Sequence, residues 1–339
     1  LQNIEILLKK LENSSGKSAD ALESAIVRIC LRSSNIEIRN SEVRRIWVQE
    51  APTGEYRKRI LRILGYLGGE KAWGDLKRIL DGNDPDGRKA VLQTIGSWPN
   101  GDPLKTLFEI VYNEKDEVIR RLAFRSYVLL LSGPSSLSDE SKLAEIKELF
   151  KLNFSKNDQL NLIGALASLA TDGALQFVEE LAVKNERYKL SAEMASKQIS
   201  VNISKRGNFN DNEKVYSAKN ALILGEDSFN YDETQDSIVG WSNPQYYIVW
   251  PINFSSSGEH ELTLNVKKPD GGGGEFEVVL GAGVTTIKVP NSDDFVDINL
   301  GEFLVNDPGT YRIIITGLNL EDKDGELMNL RSLTLKKKD

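Results

Sequence analysis

The sequence predicts a multidomain α and β chain. An N-terminal α-α superhelix of short helical pairs comes first, and a C-terminal antiparallel β-sandwich of the jelly-roll kind follows. Three observations lead there. The chain has 339 residues, too many for one core and enough for two domains. Up to about residue 200, apolar residues recur at helical spacing between capping residues. From about residue 216 onward, short β-branched and aromatic runs alternate with Gly, Asn, Asp and Pro turns.

The helical part is periodic. Tyr56-Arg57-Lys58-Arg59-Ile60, Gly87-Arg88-Lys89-Ala90-Val91, Ile119-Arg120-Arg121-Leu122-Ala123, Gln159-Leu160-Asn161-Leu162-Ile163 and Tyr188-Lys189-Leu190-Ser191-Ala192 align. Their spacing, roughly 30 to 40 residues, is that of stacked helix pairs. The longest interval contains the loop Ser132-Gly133-Pro134-Ser135-Ser136. Asp84-Pro85 reads as an N-cap followed by a first-turn proline. Ser155 with Asp158 reads as a capping box, and Asn185 before Glu186 as another cap. Gly68-Gly69 and Gly82 read as helix ends. Leu104, Leu107, Phe108 and Val111 form one buried stripe.

These residues resemble HEAT repeats, most specifically from Asp116 to Ala123, over about residues 41–201. The resemblance implies a HEAT/armadillo-like array with a surface for a protein partner, and no activity. The first 40 residues fit the repeat poorly and read as a capping unit. The expected domains are 1–201, a polar linker 202–216, and 217–339, the last expected to fold alone.

Strands are expected at Ala221–Leu224, Tyr246–Asn253, Glu261–Val266, Glu275–Leu280, Thr285–Val289, Phe295–Leu300, Tyr311–Thr316 and Leu330–Leu335. The stretch Gly240-Trp241-Ser242-Asn243-Pro244-Gln245-Tyr246-Tyr247-Ile248-Val249-Trp250, the openings Ser257-Gly258-Glu259-His260 and Asp307-Pro308-Gly309-Thr310-Tyr311, and the closing Met328-Asn329-Leu330-Arg331-Ser332-Leu333 resemble galactose-binding-like carbohydrate-binding modules of families 6 and 35. The resemblance spans nearly all of residues 217–338. It implies a sugar site on the loops at one end of the sandwich. Trp241 matches the first aromatic platform, Phe295 the second and Asn329 a hydroxyl-binding amide, with Tyr246 beside them. The competing assignments are core or turn positions for Trp241, a non-site position for Phe295 and a turn cap for Asn329.

In the resemblance, Glu226 and Asp227 match early ligands of a structural calcium ion. The later acidic ligand is replaced by Arg331, whose charge opposes a metal there. No cofactor is therefore expected.

Charge and composition narrow the functions further. Residues 1–210 carry a net +4 and residues 211–339 a net −11. An acidic sandwich disfavours nucleic acid, whose phosphates require cations. The clusters Arg57-Lys58-Arg59 with Arg62, and Arg120-Arg121 with Arg125, read as solvated helix faces and structural arginines. A HEAT-like nucleic-acid enzyme is the minor alternative. The single cysteine, Cys30, reads as a buried thiol, and the single histidine, His260, as a strand-edge residue. With one histidine, Ser-His and Cys-His nucleophile systems and zinc sites lack parts. Gly271–Gly274 has no following helix or lysine and reads as a hairpin loop. No apolar run has the ~18 residues of a membrane span. The chain starts at Leu1, as after removal of a leader or trimming.

Together these readings give a non-catalytic carbohydrate-binding and scaffolding protein. The resemblance places it in an exported bacterial polysaccharide-processing system, periplasmic or extracellular. A protein-interaction scaffold with a purely structural sandwich is the alternative.

Overall fold

The computed structural model describes residues 4–31, 36–99, 101–133, 135, 137–152, 154–280, 283–305 and 307–338. Pro134 and Ser136 of the expected loop lie outside them. The chain forms two compact units, Leu1–Leu130 with Val284–Thr286, and Leu131–Gly283 with Ile287–Asp339.

The first unit holds α1 (Ile4–Glu12), α2 (Gly16–Leu31), α3 (Ile36–Glu50), α4 (Gly54–Leu67), α5 (Glu70–Leu80), α6 (Pro85–Thr94), α7 (Leu104–Asn113) and most of α8 (Glu117–Leu131). α1 with α2, α3 with α4 and α5 with α6 pack as pairs, and α1 with α3, α2 with α4, α3 with α5 and α4 with α6 pack between pairs. Arg57, Arg88 and Arg120 are each the fourth residue of an even-numbered helix. Arg57 of α4 reaches Asp84 at 3.1 Å, and Asp84 caps α6 by accepting from the Gly87 backbone at 3.0 Å. Arg88 of α6 likewise reaches Glu114 at 2.5 Å, whose other oxygen accepts from the backbone of Lys115 and Asp116 before α8. The periodic arginine therefore ties one pair to the start of the next pair's second helix. Backbone donors first, and the arginines second, hold both carboxyls below the usual carboxylate range.

Two expected helix ends differ. α5 stops at Leu80, with Asp81 rather than Gly82 as the C-cap. Asn185 ends a helix, and the next begins at Lys189.

The second unit begins with α9 (Asp139–Phe150), α10 (Lys156–Leu166), α11 (Asp172–Lys184) and α12 (Lys189–Lys205). Strands follow: β1 (Gly207–Phe209), β2 (Glu213–Ser217), β3 (Leu222–Leu224), β4 (Asn230–Asp232), β5 (Ser237–Val239), β6 (Tyr247–Phe254), β7 (Gly258–Lys267), β8 (Gly274–Leu280), β9 (Gly283–Lys288), β10 (Val296–Val305), β11 (Gly309–Leu320) and β12 (Asn329–Lys337). One sheet runs β1-β6-β11-β8-β9 with β3 also on β6. The other runs β10-β7-β12-β5-β4 with β2 also on β12. The pairings of β2 with β12, β3 with β6, β4 with β5, β5 with β12, β6 with β11, β7 with β10 and β12, and β8 with β11 are antiparallel, and β1 with β6 is parallel. Between the sheets lies an apolar core that includes Ile248, Trp250, Leu264, Phe276, Ile315 and Leu333. All eight expected strands are present. The segment 202–216, expected as a linker, instead completes α12 and supplies β1 and most of β2.

Helices form a third layer. Alternation along β6 and β11 aims Ile248 and Ile315 at the core, and Val249, Pro251 and Arg312 away from it. That second face contacts α9 and α12. The Arg312 side chain, 8% exposed, lies 3.7 Å from Asp139, donates to the Ser132 carbonyl at 2.9 Å and donates to the Ser168 carbonyl. Glu140, in the first turn of α9, accepts from the backbone and hydroxyl of Thr310 at 2.9 and 3.1 Å. Gly309 (φ +148°) is required there, because a Cβ would stand 2.6 Å from Ser138 and 2.7 Å from the Glu140 carboxylate.

Lys142 lies in this junction, 2% exposed, and donates to the Gly133 carbonyl at 2.9 Å. Burial, and then Arg312, pushes its ammonium down to about 7. Between that value and the ordinary lysine pKa, the unfolded chain holds a proton that the folded chain lacks. Stability should thus rise with pH from about 7 toward about 10. In Lys142→Met this component is expected to vanish. Denaturant titrations of both chains at pH 7 and pH 9.5 check it: the wild type gains stability relative to the variant, by up to about 3 kcal/mol.

Candidate functional site

The segment between β5 and β6 carries Trp241 and Tyr246, and both are core residues. Trp241 is fully buried and Tyr246 is 8% exposed. Gly240, at φ +76°, approaches the Ser228 carbonyl so closely that a Cβ would lie 2.0 Å from it. The chain therefore turns inward and the next side chain enters the sandwich. There Trp241 meets Phe229 at 4.9 Å between centroids, and Phe229 stacks on Tyr246 at 5.3 Å. The Trp241 carbonyl accepts from the Leu327 backbone at 2.8 Å. The expected first platform is thus a core aromatic triad, unavailable to a sugar face.

Glu226 and Asp227 are exposed in the turn that Phe229 and Asn230 close by donating to their carbonyls. Among the described residues, no three His, Cys, Asp or Glu side chains are grouped to hold a metal ion.

Phe295 and Asn329 do come together. Val266 of β7 lies opposite Val296 of β10 and Leu330 of β12, and Val266 and Leu330 are fully buried. One residue further, Phe295, Lys267 and Asn329 therefore lie on the face away from the core at the same end of the sheet, with Asn329 only 7% exposed. A bulge between Leu330 and Ser332 leaves Arg331 as the extra residue of β12. The bulge re-aims Arg331, and its guanidinium carbon lies 3.6 Å from the centre of the Phe295 ring.

Around this pair, amides are fixed in place. The Asp232 carboxylate accepts from Thr234 and from the side chain of Gln235, which orients that amide. The Gln235 oxygen accepts from Asn329 at 3.4 Å. Asn265 donates to Asp297 at 2.7 Å. Three buried polar atoms here, the Asn329 and Asn265 side-chain oxygens and Arg331 Nε, have no hydrogen-bond partner. An unpaired buried polar group costs about 1–3 kcal/mol, so such a group favours an incoming donor or acceptor. Sequence reasoning found Phe295 and Asn329. It noted Arg331 only as an obstacle to calcium, and it missed Lys267, Gln235 and Asn265, whose convergence depends on strand register and the bulge.

His260 is also in the core. It is fully buried against Phe209, Phe254 and Phe303, with ring centroids 5.0 to 5.4 Å away, and burial lowers its pKa. In the helical unit the basic cluster is neutralised within the protein: Arg57 pairs with Asp84, Lys58 with Glu55, Arg59 with Asp20 and Glu23, and Arg62 with Glu23. A groove of about 550 Å³ beside them is lined by Asp20, Glu23, Ser24, Val27, Arg28, Arg62 and Tyr66. No helix among the described residues is long and apolar enough to cross a membrane.

Comparisons with known proteins bear on the C-terminal sandwich. The model of a domain of unknown function, DUF5077, matches residues 215–339. No curated protein matches the chain. Among solved structures, the sandwich is similar to a family 35 carbohydrate-binding module from Clostridium thermocellum, at 15% identity over 37% of this chain and 98% of that one, TM-score 0.29. It is similar to a CBM35 from Cellvibrio japonicus, at 14% identity over 38% and 94%, TM-score 0.29. It is also similar to the GH26-CBM35 β-(1,4)-mannanase of Podospora anserina, at 19% identity over 38% of this chain and 28% of that one, TM-score 0.31.

Removing the Trp241 indole should leave a large cavity in the core. Trp241→Ala is expected to lower stability by about 3–5 kcal/mol in denaturant titration, the range for a buried aromatic. A loss under 1 kcal/mol would return Trp241 to the surface.

Proposed function

We propose that the chain is a non-catalytic glycan-binding protein whose site is the outward patch of Phe295, Arg331, Asn329, Gln235, Lys267 and Asn265. The observation that carries this reading is the convergence of fixed amides, with buried unpartnered oxygens, around an aromatic ring at one end of a sheet. Sugar hydroxyls are both donors and acceptors, so they match a patch of oriented amides. The motif order from Gly240 to Leu333 supports the same reading. On this reading the helical pairs form a HEAT-like superhelix that spaces or docks the sandwich, in an exported bacterial setting, periplasmic or extracellular. On this reading no calcium is expected, because Arg331 stands where the resemblance implies an acidic ligand.

A protein-interaction scaffold is favoured by a different observation. On α11 and α12, Val183, Leu190, Met194 and Val201 are 87%, 72%, 64% and 47% exposed, an apolar surface of the kind that receives protein partners.

A glycan array probed with the full chain, followed by affinity electrophoresis on the polysaccharides retained, tests the first reading. Gln235→Ala and Asn329→Ala are each expected to weaken binding about 10-fold, the loss of one or two hydrogen bonds. Gln235 is exposed, so its variant should melt as the wild type does. Unchanged affinity in both variants would move the site elsewhere, and an array with no retained glycan would leave the scaffold reading.

A further inference from the structure

We infer that this patch selects glycans carrying negative charge, with Arg331 as the specificity-determining residue and Lys267 beside it; the inference rests on the glycan-binding reading above.

Residues 211–339 hold 22 acidic and 11 basic side chains. In such surroundings, exposed cations usually find carboxylates, and many here do. Lys219 pairs with Glu233, Lys268 and Lys288 with Glu321, and Lys338 with Glu302. Arg331 and Lys267 have no carboxylate partner among the described residues, and they lie at the same end of the same sheet. Carboxylates on the neighbouring strand and turn accept hydrogen bonds. Asp297 accepts from Asn265, Asp232 from Thr234 and Gln235, and Asp236 from the Tyr231 hydroxyl. Asp293 and Asp294, exposed before Phe295, form an acidic rim.

The geometry also changes what the aromatic offers. With the Arg331 guanidinium carbon over the ring, 3.6 Å from its centre, that face of Phe295 is covered. A saccharide on this side meets the guanidinium, held by the ring beneath. Two parallel N–H bonds to a carboxylate or an ester sulfate are the favoured interaction of a guanidinium. Lys267 adds a point charge, and the amides of Asn329 and Gln235 address the hydroxyls. The acidic rim would then repel polyanions that do not engage Arg331, which sharpens the selection.

The test compares the full chain's affinity for polygalacturonate, for the same polymer with its carboxylates methyl-esterified, and for dextran and dextran sulfate, at low and moderate salt. Binding to polygalacturonate or dextran sulfate should exceed binding to its neutral counterpart at least 10-fold and should weaken with salt. Which charged polymer is retained identifies carboxylate or sulfate as the source. Arg331→Gln should lose the preference, and Arg331→Lys should keep part of it, both melting like the wild type. Equal affinity for charged and neutral polymers, or an unchanged preference in Arg331→Gln, overturns the inference while leaving glycan binding intact. Retention of no glycan, charged or neutral, overturns the glycan-binding reading itself.

Discussion

The second unit depends on one buried guanidinium. Arg312 projects from the helix-covered face of β11 onto three polar groups of the helical segment: the Ser132 and Ser168 carbonyls and the Asp139 carboxylate. Asp139 in turn accepts from the Ala170 backbone at 2.9 Å, so the same network joins the segment before α9 to the turn before α11. A charge buried to this degree is tolerated only when it is paired and hydrogen-bonded, and removing one partner leaves the others desolvated. The interaction is thus less a source of net stability than a condition on which arrangement of helices and strands can form.

That condition sorts the two faces of the sandwich. The face bearing Val249, Pro251 and Arg312 is covered by helices, and Gly309 and Glu140 close its edge. The face bearing Lys267, Asn329 and Arg331 belongs to the other sheet. The bulge at Arg331 is the local departure from regular pairing that gives this face its chemistry. A bulge weakens the ladder where it falls but aims a side chain that regular alternation would send elsewhere. Here it sets a cation on an aromatic ring among amides, and the core beneath stays apolar.

Much of the fold was legible in the sequence because periodicity reports it directly. The recurring position at 57, 88, 120, 160 and 189 falls near the start of α4, α6, α8, α10 and α12, and the expected strands all formed. What was not legible depended on long-range pairing. β1 is three residues long in a polar stretch, and its place beside β6 comes from tertiary packing alone. Strands β4 and β5 are equally short. Trp241 illustrates the limit at the site. A glycine-aromatic turn looks the same in sequence whether the ring faces solvent or core, and the approach of Gly240 to Ser228 decides it. Motif order pointed to Phe295 and Asn329, which flank Lys267 at one end of the sheet. The role of Arg331 was hidden, because the sequence does not reveal a bulge.

The central claim is that α9–α12 and the sandwich form one cooperative unit through Arg312. Hydrogen exchange of the full chain, read by mass spectrometry on the wild type and Arg312→Ala, tests it directly. The account predicts that protection falls together in α9, α10, β6 and β11 of the variant. Loss of protection confined to the helices, with β6 and β11 unchanged, would contradict it and make the sandwich an independent domain.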